Sequence, residues 1–253
     1  MCRIRNPNTV LTMKESKNIP ELRFPGFDGE WIEKRLGNNC SKIGSGKTPS
    51  GGDAVYLEKG IPFIRSQNVA DNQLKLDSTH ISISTHEEMK NSVVVANDIL
   101  LNITGGSIGR SCVVPSDFKE ANVNQHVCII RLKKDEPRFL QPLLSSWRGQ
   151  KLIYQGQTGS GREGLNFESI KAFKVYFPSF SEQTHISSFL AAVDQRINLL
   201  TQQKEALELY KKGVMQQLFP STGSGGKPQL RFKDENGNDF PDWEEKRLGD
   251  CLK

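Results

Sequence analysis

Several glycine-rich stretches carry polar residues that are suited to binding phosphates or base edges. One of them, Ser41-Lys-Ile-Gly-Ser-Gly-Lys-Thr48, resembles the P-loop pattern G-x-x-x-x-G-K-[S/T], although serine replaces the first glycine. A P-loop lies between a buried strand and a helix N-terminus, whereas Pro49-Ser-Gly-Gly52 would break a helix here. ATP binding is therefore rejected. Two interpretations stay open with equal weight: a loop that carries Lys47 and Thr48 to a backbone phosphate, or a solvated turn.

A second stretch joins an apolar run to a loop of small residues, Leu100-Leu-Asn-Ile-Thr-Gly-Gly-Ser-Ile-Gly-Arg110. Small residues permit close approach of the backbone to a ligand, and Arg110 suits a phosphate or a guanine edge. The alternative is a tight turn between two strands.

Three further clusters combine amide side chains with arginine or histidine: Arg65-Ser-Gln-Asn68, Ala121-Asn-Val-Asn-Gln-His126 and Gly159-Ser-Gly-Arg-Glu-Gly-Leu-Asn166. Asn and Gln pair with adenine and Arg with guanine in the major groove, but ordinary loops have the same composition. Both interpretations, loops that contact DNA and ordinary solvated loops, stay open at this point. The candidate contact residues are Lys47, Thr48, Arg65, Gln67, Asn68, Thr104, Arg110, Asn124, Gln125 and Arg162.

Sequence signatures of base methylation and of zinc proteases are missing. The sequence contains no [Asp/Asn]-Pro-Pro-aromatic motif for amino methylation of bases and no H-E-x-x-H. Pro241-Asp242 with Glu244-Glu-Lys246 imitates a nuclease metal site, but these residues are too crowded to lie on separate strands. We therefore expect no catalytic site, no metal and no cofactor.

Composition excludes other classes of protein. The 253 residues include 34 Lys and Arg against 29 Asp and Glu, a net charge of +5, which is too small for histone-like binding by bulk attraction. The sequence has no apolar run of about 18 residues and no secretory signal, so we expect no membrane association. Five scattered cysteines and four separated histidines argue against a disulfide framework and a zinc site. A reducing cytoplasm is the expected location.

The segments that would position the candidate residues have two different sequence patterns. Up to about residue 178, short β-like runs alternate with Gly, Asn, Asp and Pro, with short helices expected near 85–90, 139–153 and 167–173. Asn166 is the expected N-cap of the last of these helices. This pattern predicts a mixed α/β domain with an irregular sheet.

A long helix is predicted next, at 181–219, with Ser181 as its N-cap. Apolar residues follow a heptad in eight of ten core positions, and Lys204 and Lys211 are the interruptions. The alternative is a helix that lies on its own domain, but at about 1.5 Å per residue the segment would be longer than such a domain needs. We favour an extended helix with a partner. Its seam is Ile186, Leu190, Val193, Ile197, Leu200, Leu207, Val214 and Leu218.

An internal repeat divides the chain. Leu-Arg-Phe followed by Trp-x-Glu-Lys-Arg-Leu-Gly occurs at 22–37 and again at 230–249, an offset of 208 residues for the first block and 212 for the second. The repeat indicates that a module of about 210 residues starts again near the end of the chain. We expect residues 1–19 to be a disordered extension, 220–227 a flexible linker and 228–253 the start of a second, truncated repeat.

These motifs together resemble the specificity subunit of type I restriction–modification systems. The resemblance rests on the two Leu-Arg-Phe and Trp-x-Glu-Lys-Arg-Leu-Gly blocks, Gly60-Ile-Pro-Phe-Ile-Arg-Ser-Gln-Asn68, the 101–110 and 122–127 stretches, and Phe177-Pro-Ser-Phe-Ser-Glu-Gln183 before the helix. It implies two target-recognition domains, each followed by a long spacer helix. Residues 20–180 would be the first domain and 181–219 the first helix. The chain would then be truncated soon after, as a fragment or as a natural half-subunit.

The resemblance also implies a function. Such a subunit reads a split DNA target and positions methylation and restriction/motor subunits, without a catalytic site of its own. A chain with one recognition domain is expected to form a homodimer through the helix seam and to read a palindromic split target. Two alternatives stay open: a stand-alone DNA methyltransferase or nuclease, and a coiled-coil adaptor that binds no nucleic acid.

Overall fold

The computed structural model describes residues 20–158, 164–219, 228, 230–241, 243, 246, 247 and 249. The expected disordered extension at 1–19 and linker at 220–227 lie outside the described residues. The chain divides into two compact units, Met1–Phe189 and Leu190–Lys253. Each unit is described in turn.

The elements follow the alternation of short strands and helices that the sequence predicts. The strands are β1 (Ile32–Arg35), β2 (Cys40–Ser45), β3 (Ile61–Ile64), β4 (Val69–Ala70), β5 (Gln73–Leu74), β6 (His80–Ile81), β7 (Val93–Val94), β8 (Ile99–Asn102), β9 (Ser111–Val113), β10 (Ala121–Val123), β11 (Val127–Leu132), β12 (Gln157–Thr158), β13 (Gly164–Leu165) and β14 (Lys174–Phe177). The helices are α1 (Leu36–Asn39), α2 (Ile83–Glu88), α3 (Pro137–Ser145), α4 (Trp147–Gly156), α5 (Phe167–Ala172) and α6 (Phe180–Leu218).

The centre of the first unit is an antiparallel sheet in the order β2-β11-β8-β9. Its inner strands are buried on both faces, which explains the unbroken apolar run of β8. Ile99 and Leu101 join one core with helices α3 and α5, whereas Leu100 joins a second core on the other face. Because side chains alternate along a strand, one short strand supplies both cores.

A second sheet has the order β6-β3-β10-β7, and in it β3 and β10 run parallel. Strands β10 and β11 follow each other closely along the chain but lie in different sheets. The segment between them, Asn124–His126, therefore connects the two sheets. Three strand pairs, β1-β14, β4-β5 and β12-β13, complete the unit.

Two details of the helices differ from the predictions. The helix expected at 139–153 is interrupted at Ser146, which has an extended backbone and whose Oγ accepts a hydrogen bond from the Gly149 amide, so it caps α4. The predicted cap Ser181 is wrong: the Glu182 amide donates to Ser179 Oγ, and α6 begins at Phe180. The predicted cap of α5 is confirmed, since Asn166 Oδ1 accepts from the Ser169 amide.

The first turns of α6 pack against the core of the first unit. Arg23 from the Leu-Arg-Phe block forms a two-bond ion pair with Glu182, whose side chain is 1% exposed. Phe24 lies edge-on to the rings of His185 and Phe189. The N-terminal repeat block thus holds the start of the helix.

The second unit contains the rest of α6 and the described part of the second repeat. The Leu230 amide donates to the Gln217 carbonyl, and the Trp243 ring lies 6.0 Å from that of Phe219. The molecule is thus a mixed α/β domain followed by a long helix. No helix among the described residues is long and apolar enough to cross a membrane.

Candidate nucleic-acid interface

Four loops meet at one end of the two sheets, and backbone hydrogen bonds join them. The Gly46 amide donates to the Asn124 carbonyl over 3.1 Å, and the Asn124 amide donates to the Ile64 carbonyl over 3.0 Å. The Ile103 amide donates to the His126 carbonyl over 3.0 Å. We call residues 46–48, 65–68, 103–110 and 124–126 the loop cluster. It contains nine of the ten candidate residues; Arg162 lies outside the described residues.

Close packing at Gly46 explains how the loops come so near to one another. A Cβ at this position would lie 1.7 Å from the Val123 carbonyl oxygen and 2.7 Å from Ser92 Cβ. Only glycine fits there without moving backbone. The glycine of the P-loop-like stretch therefore lets the β2 loop lie against strand β10, and Lys47 and Thr48 follow it directly.

A chain of polar side chains crosses the loop cluster from Thr48 to Thr104. Thr48 Oγ1 donates to Gln125 Oε1 over 2.5 Å, and Gln125 Nε2 lies 3.1 Å from His126 Nε2. His126 Nδ1 lies 2.6 Å from Thr104 Oγ1. With the Gln125 amide donating to Nε2, the ring carries its proton on Nδ1 and donates to Thr104. Exposed Thr48 and Gln125 are thus held in place at the surface.

His126 is not among the predicted contact residues, although it belongs to one of the amide-rich clusters of the sequence. Nothing in the local sequence marks it as the link between two loops, because Thr104 lies 22 positions earlier. Asn124, at 8% exposure, supports the same turn: its Oδ1 accepts from the His126 amide over 3.0 Å. Asn124 therefore acts inside the cluster, whereas Gln125 faces outward.

Arg65, Gln67 and Asn68 surround Asp77. Arg65 Nη2 and Gln67 Nε2 both donate to Asp77 Oδ2, over 2.8 and 2.9 Å. Asn68 is 3% exposed; its Nδ2 donates to the Lys75 carbonyl and its Oδ1 accepts from the Arg65 amide. Burial disfavours the Asp77 carboxylate, but hydrogen bonds from Thr79, Gln67 and Asn68 outweigh it and lower its pKa.

All three side chains therefore have internal partners, and Gln67 is the exposed member of the group. A sequence reading cannot separate the three, because their common partner is about ten positions further along the chain.

Buried Asn102 ties two of the loops together. Its side chain is fully buried, and Nδ2 donates to the Ser66 carbonyl over 2.9 Å. Its backbone pairs with Gly109 and Arg110 across the β8–β9 loop, and the Arg110 side chain is exposed at the edge of the cluster. Arg110 is therefore an exposed cation at the end of a loop that backbone hydrogen bonds to Asn102 close.

The flank of the cluster beside Lys47 has mixed charge. A groove of about 350 Å³ is lined by Ser45–Lys47 and by Glu87–Ser92, which include the exposed Glu87, Glu88 and Lys90. Two carboxylates near Lys47 weaken the attraction of this flank for a phosphate backbone.

Chemistry that depends on metals or thiols finds no support among the described residues. No group of three or more His, Cys, Asp or Glu in the described part of the chain could hold a metal ion. Cys40, Cys112 and Cys128 are free and buried, and burial raises the pKa of each thiol to about 12. These thiols are packing groups rather than nucleophiles.

The predicted helix seam is divided among three environments. Ile186 packs against the core of the first unit, so its role there is internal. Leu190, Val214 and Leu218 are half-buried, and Leu218 lines a small apolar groove with Leu230 and Trp243. The middle of the seam is exposed: Val193 40%, Ile197 53%, Leu200 48% and Leu207 59%.

Comparison with known proteins identifies the family of the chain. The family model described as "Type I restriction modification DNA specificity domain" matches residues 29–209. The chain belongs to this family. The match includes the loop cluster and most of α6.

Two curated relatives come from Methanocaldococcus jannaschii. The chain is 23% identical over 247 residues to the putative type I restriction enzyme MjaX specificity subunit. The aligned region covers 95% of the chain and 57% of the relative. It is also 23% identical over 244 residues to the MjaVIII specificity subunit, which covers 96% and 54%. The chain thus spans little more than half the length of these curated relatives.

Solved structures share the fold. The S subunit of a type I restriction–modification system from M. genitalium matches with a TM-score of 0.54 and 14% identity, over 80% of this chain and 48% of that one. The HsdS subunit from Thermoanaerobacter tengcongensis matches with a TM-score of 0.51 and 18% identity, over 70% and 41%. A structure of a type I R-M complex matches with a TM-score of 0.56 and 18% identity, over 75% and 45%.

Proposed function

We propose that this chain is a sequence-specific DNA-binding subunit of a type I restriction–modification complex, and that its loop cluster reads one half of a bipartite target. One observation carries the proposal: four loops with amide, hydroxyl and cationic side chains converge on one surface of a domain from a DNA-specificity family. Hydrogen-bonding side chains on loops can read the distinct donor and acceptor pattern of each base pair in the major groove.

Exposure and hydrogen bonding divide the candidate residues by role. Gln125, Gln67 and Thr48 are exposed amide and hydroxyl groups suited to base edges. Lys47 and Arg110 are exposed cations suited to phosphates or guanine. Thr104 and Asn124 hold this surface in place, as do Arg65 and Asn68. Arg162 remains a candidate from the sequence alone, because it lies outside the described residues.

We also propose that the subunit is non-catalytic and acts in the cytoplasm with methylation and restriction/motor subunits. The names of its relatives support this assembly, and the buried free thiols fit a reducing compartment. DNA modification and cleavage would then come from the partner subunits.

The exposed middle of the α6 seam supports a helical partner. Val193, Ile197, Leu200 and Leu207 repeat with heptad spacing on one side of the helix and are 40–59% exposed. We propose that a second copy of α6 covers this seam in a homodimer. A two-fold pair would present two identical loop clusters and select a palindromic split target.

Selection of bound duplexes from a random pool tests the DNA-binding proposal. We expect one sequence pattern to be enriched, with an affinity that falls as salt concentration rises. Gln125→Ala should relax the preference at one base pair by about 1–3 kcal/mol without abolishing binding. Lys134→Gln is the control, because Lys134 is exposed and lies beyond the end of β11 that is remote from the loop cluster. A pool that shows no enrichment and no salt-sensitive binding would support the adaptor alternative instead.

A further inference from the structure

Helix α4 exposes two aromatic rings on one face. Trp147 is 75% exposed and Tyr154 is 74% exposed, although both are large apolar side chains. Residues 147, 151 and 154 have the i, i+4, i+7 spacing of a single helix face. Lys151 lies between the rings, with its Nζ 5.2 Å from the centroid of the Trp147 ring. We call Trp147, Arg148, Lys151 and Tyr154 the α4 face.

The charge of this region has one sign. From Phe139 to Thr158 the sequence contains two basic residues, Arg148 and Lys151, and no acidic residue. Within the described part of the chain, neither Arg148 nor Lys151 forms an ion pair. The flank beside Lys47 differs, because Glu87 and Glu88 line its groove. Of these two flanks, the α4 face is therefore the one that attracts an extended anion.

A side chain on the adjoining edge of α4 fixes the helix against the loop cluster. Gln150 Nε2 donates to the Gly109 carbonyl over 3.0 Å and to the Leu144 carbonyl over 2.9 Å. A Cβ at Gly109 would lie 2.6 Å from Gln150 Oε1, so this contact is close. Gly109 immediately precedes the candidate Arg110. The α4 face is thus continuous with the cationic edge of the loop cluster.

We propose that the α4 face binds the phosphodiester backbone of the same duplex whose bases the loop cluster reads. Arg148 and Lys151 neutralise phosphates, and the rings of Trp147 and Tyr154 pack against the deoxyribose. This inference rests on the proposed function. It adds the direction in which the duplex runs. The DNA backbone leaves the loop cluster on the α4 side and not along the groove lined by Glu87 and Glu88.

The test is the salt dependence of duplex binding by the full chain carrying Arg148→Gln and Lys151→Gln. Each lost phosphate contact lowers the slope of log K against log salt by about 0.9. We therefore expect the slope of the double variant to be less steep by about 1.8. The ratio of wild-type to variant affinity should then shrink roughly tenfold between 50 and 200 mM salt. The loss should be equal for target and non-target duplexes, because phosphates carry no sequence.

The matched control is Lys134→Gln with Arg138→Gln, which removes the same two charges beyond the opposite end of β11, where both residues are exposed. We expect this control to keep the wild-type slope. Thermal melting checks the fold of each variant, and Lys151→Glu alone, which reverses one charge, gives a second reading if the double variant unfolds.

Three outcomes would overturn the inference. A double variant with the wild-type slope and affinity would show that the α4 face does not contact DNA. A variant that binds DNA normally but no longer assembles with the methylation subunit would assign the face to a protein partner. A wild-type chain that binds no duplex would instead reject the proposed function on which the inference rests.

Discussion

Pairing of α6 through its exposed seam can be tested by removing two leucines. Leu200 and Leu207 are 48% and 59% exposed. Complete burial of a leucine gives about 1.5–3 kcal/mol relative to full exposure, so covering the exposed half of each gives about 1 kcal/mol. Two leucines on each of two helices contribute about 4 kcal/mol, and alanine at both positions should weaken a dimer by roughly 1,000-fold.

Analytical ultracentrifugation across a concentration series measures this change directly. We expect the wild-type chain to be dimeric at micromolar concentration and Leu200→Ala with Leu207→Ala to be monomeric there. Alanine keeps the helix intact because its helix propensity is at least that of leucine.

The chain offers a closely matched control, Leu199→Ala with Leu209→Ala. These leucines are 51% and 72% exposed on the same helix, but they lie off the heptad seam. The control variant should dimerise like wild type. Equal weakening by both pairs, or a wild-type chain that is monomeric at micromolar concentration, would refute pairing through the seam.

Two further predictions concern the stability of the recognition domain. Arg23→Met leaves Glu182, whose side chain is 1% exposed, without its ion-pair partner, so the free energy of unfolding measured in urea should fall by about 3–5 kcal/mol. Adding Glu182→Met should restore most of that stability, because no unpaired charge is then buried. An Arg23→Met variant as stable as wild type would contradict the anchoring of α6. The pKa of Asp77 is lower in the folded state, so its contribution is complete above its unfolded pKa, near 3.8, and is lost as pH falls toward the folded value. Asp77→Asn should therefore flatten the acid limb of the stability curve below about pH 4, and an unchanged acid limb would contradict the hydrogen-bond network around Asp77.

Local patterns in the sequence predict part of this fold well. The heptad predicts that α6 exists, because a helix repeats its surface every few residues. The predicted range 181–219 differs from the observed helix Phe180–Leu218 by one residue at each end. Asn166 is predicted correctly as a cap, since capping depends on a side chain and the next three residues. Ser181 fails by the same local rule, because Ser179 competes for the role two residues earlier.

The convergence of the loops cannot be read from the sequence in the same way. It depends on the parallel pairing of β3 with β10 and on β11 lying in the other sheet, which are contacts between distant segments. Gln125 is exposed and Asn68 is buried, and this difference likewise depends on partners far along the chain. The composition of the loops therefore predicts a candidate interface, whereas burial decides which of its side chains face outward.

Reconstitution with methylation subunits tests whether this chain selects the DNA target of the complex. The chain would be combined with methylation and motor subunits, and the methylated adenines would be mapped across a genome with and without Gln125→Ala. We expect methylation at one bipartite target only when the chain is present, with relaxed choice at one base pair in the variant. Methylation that is independent of the chain, or cofactor-dependent methylation by the chain alone, would contradict its role as a non-catalytic specificity subunit.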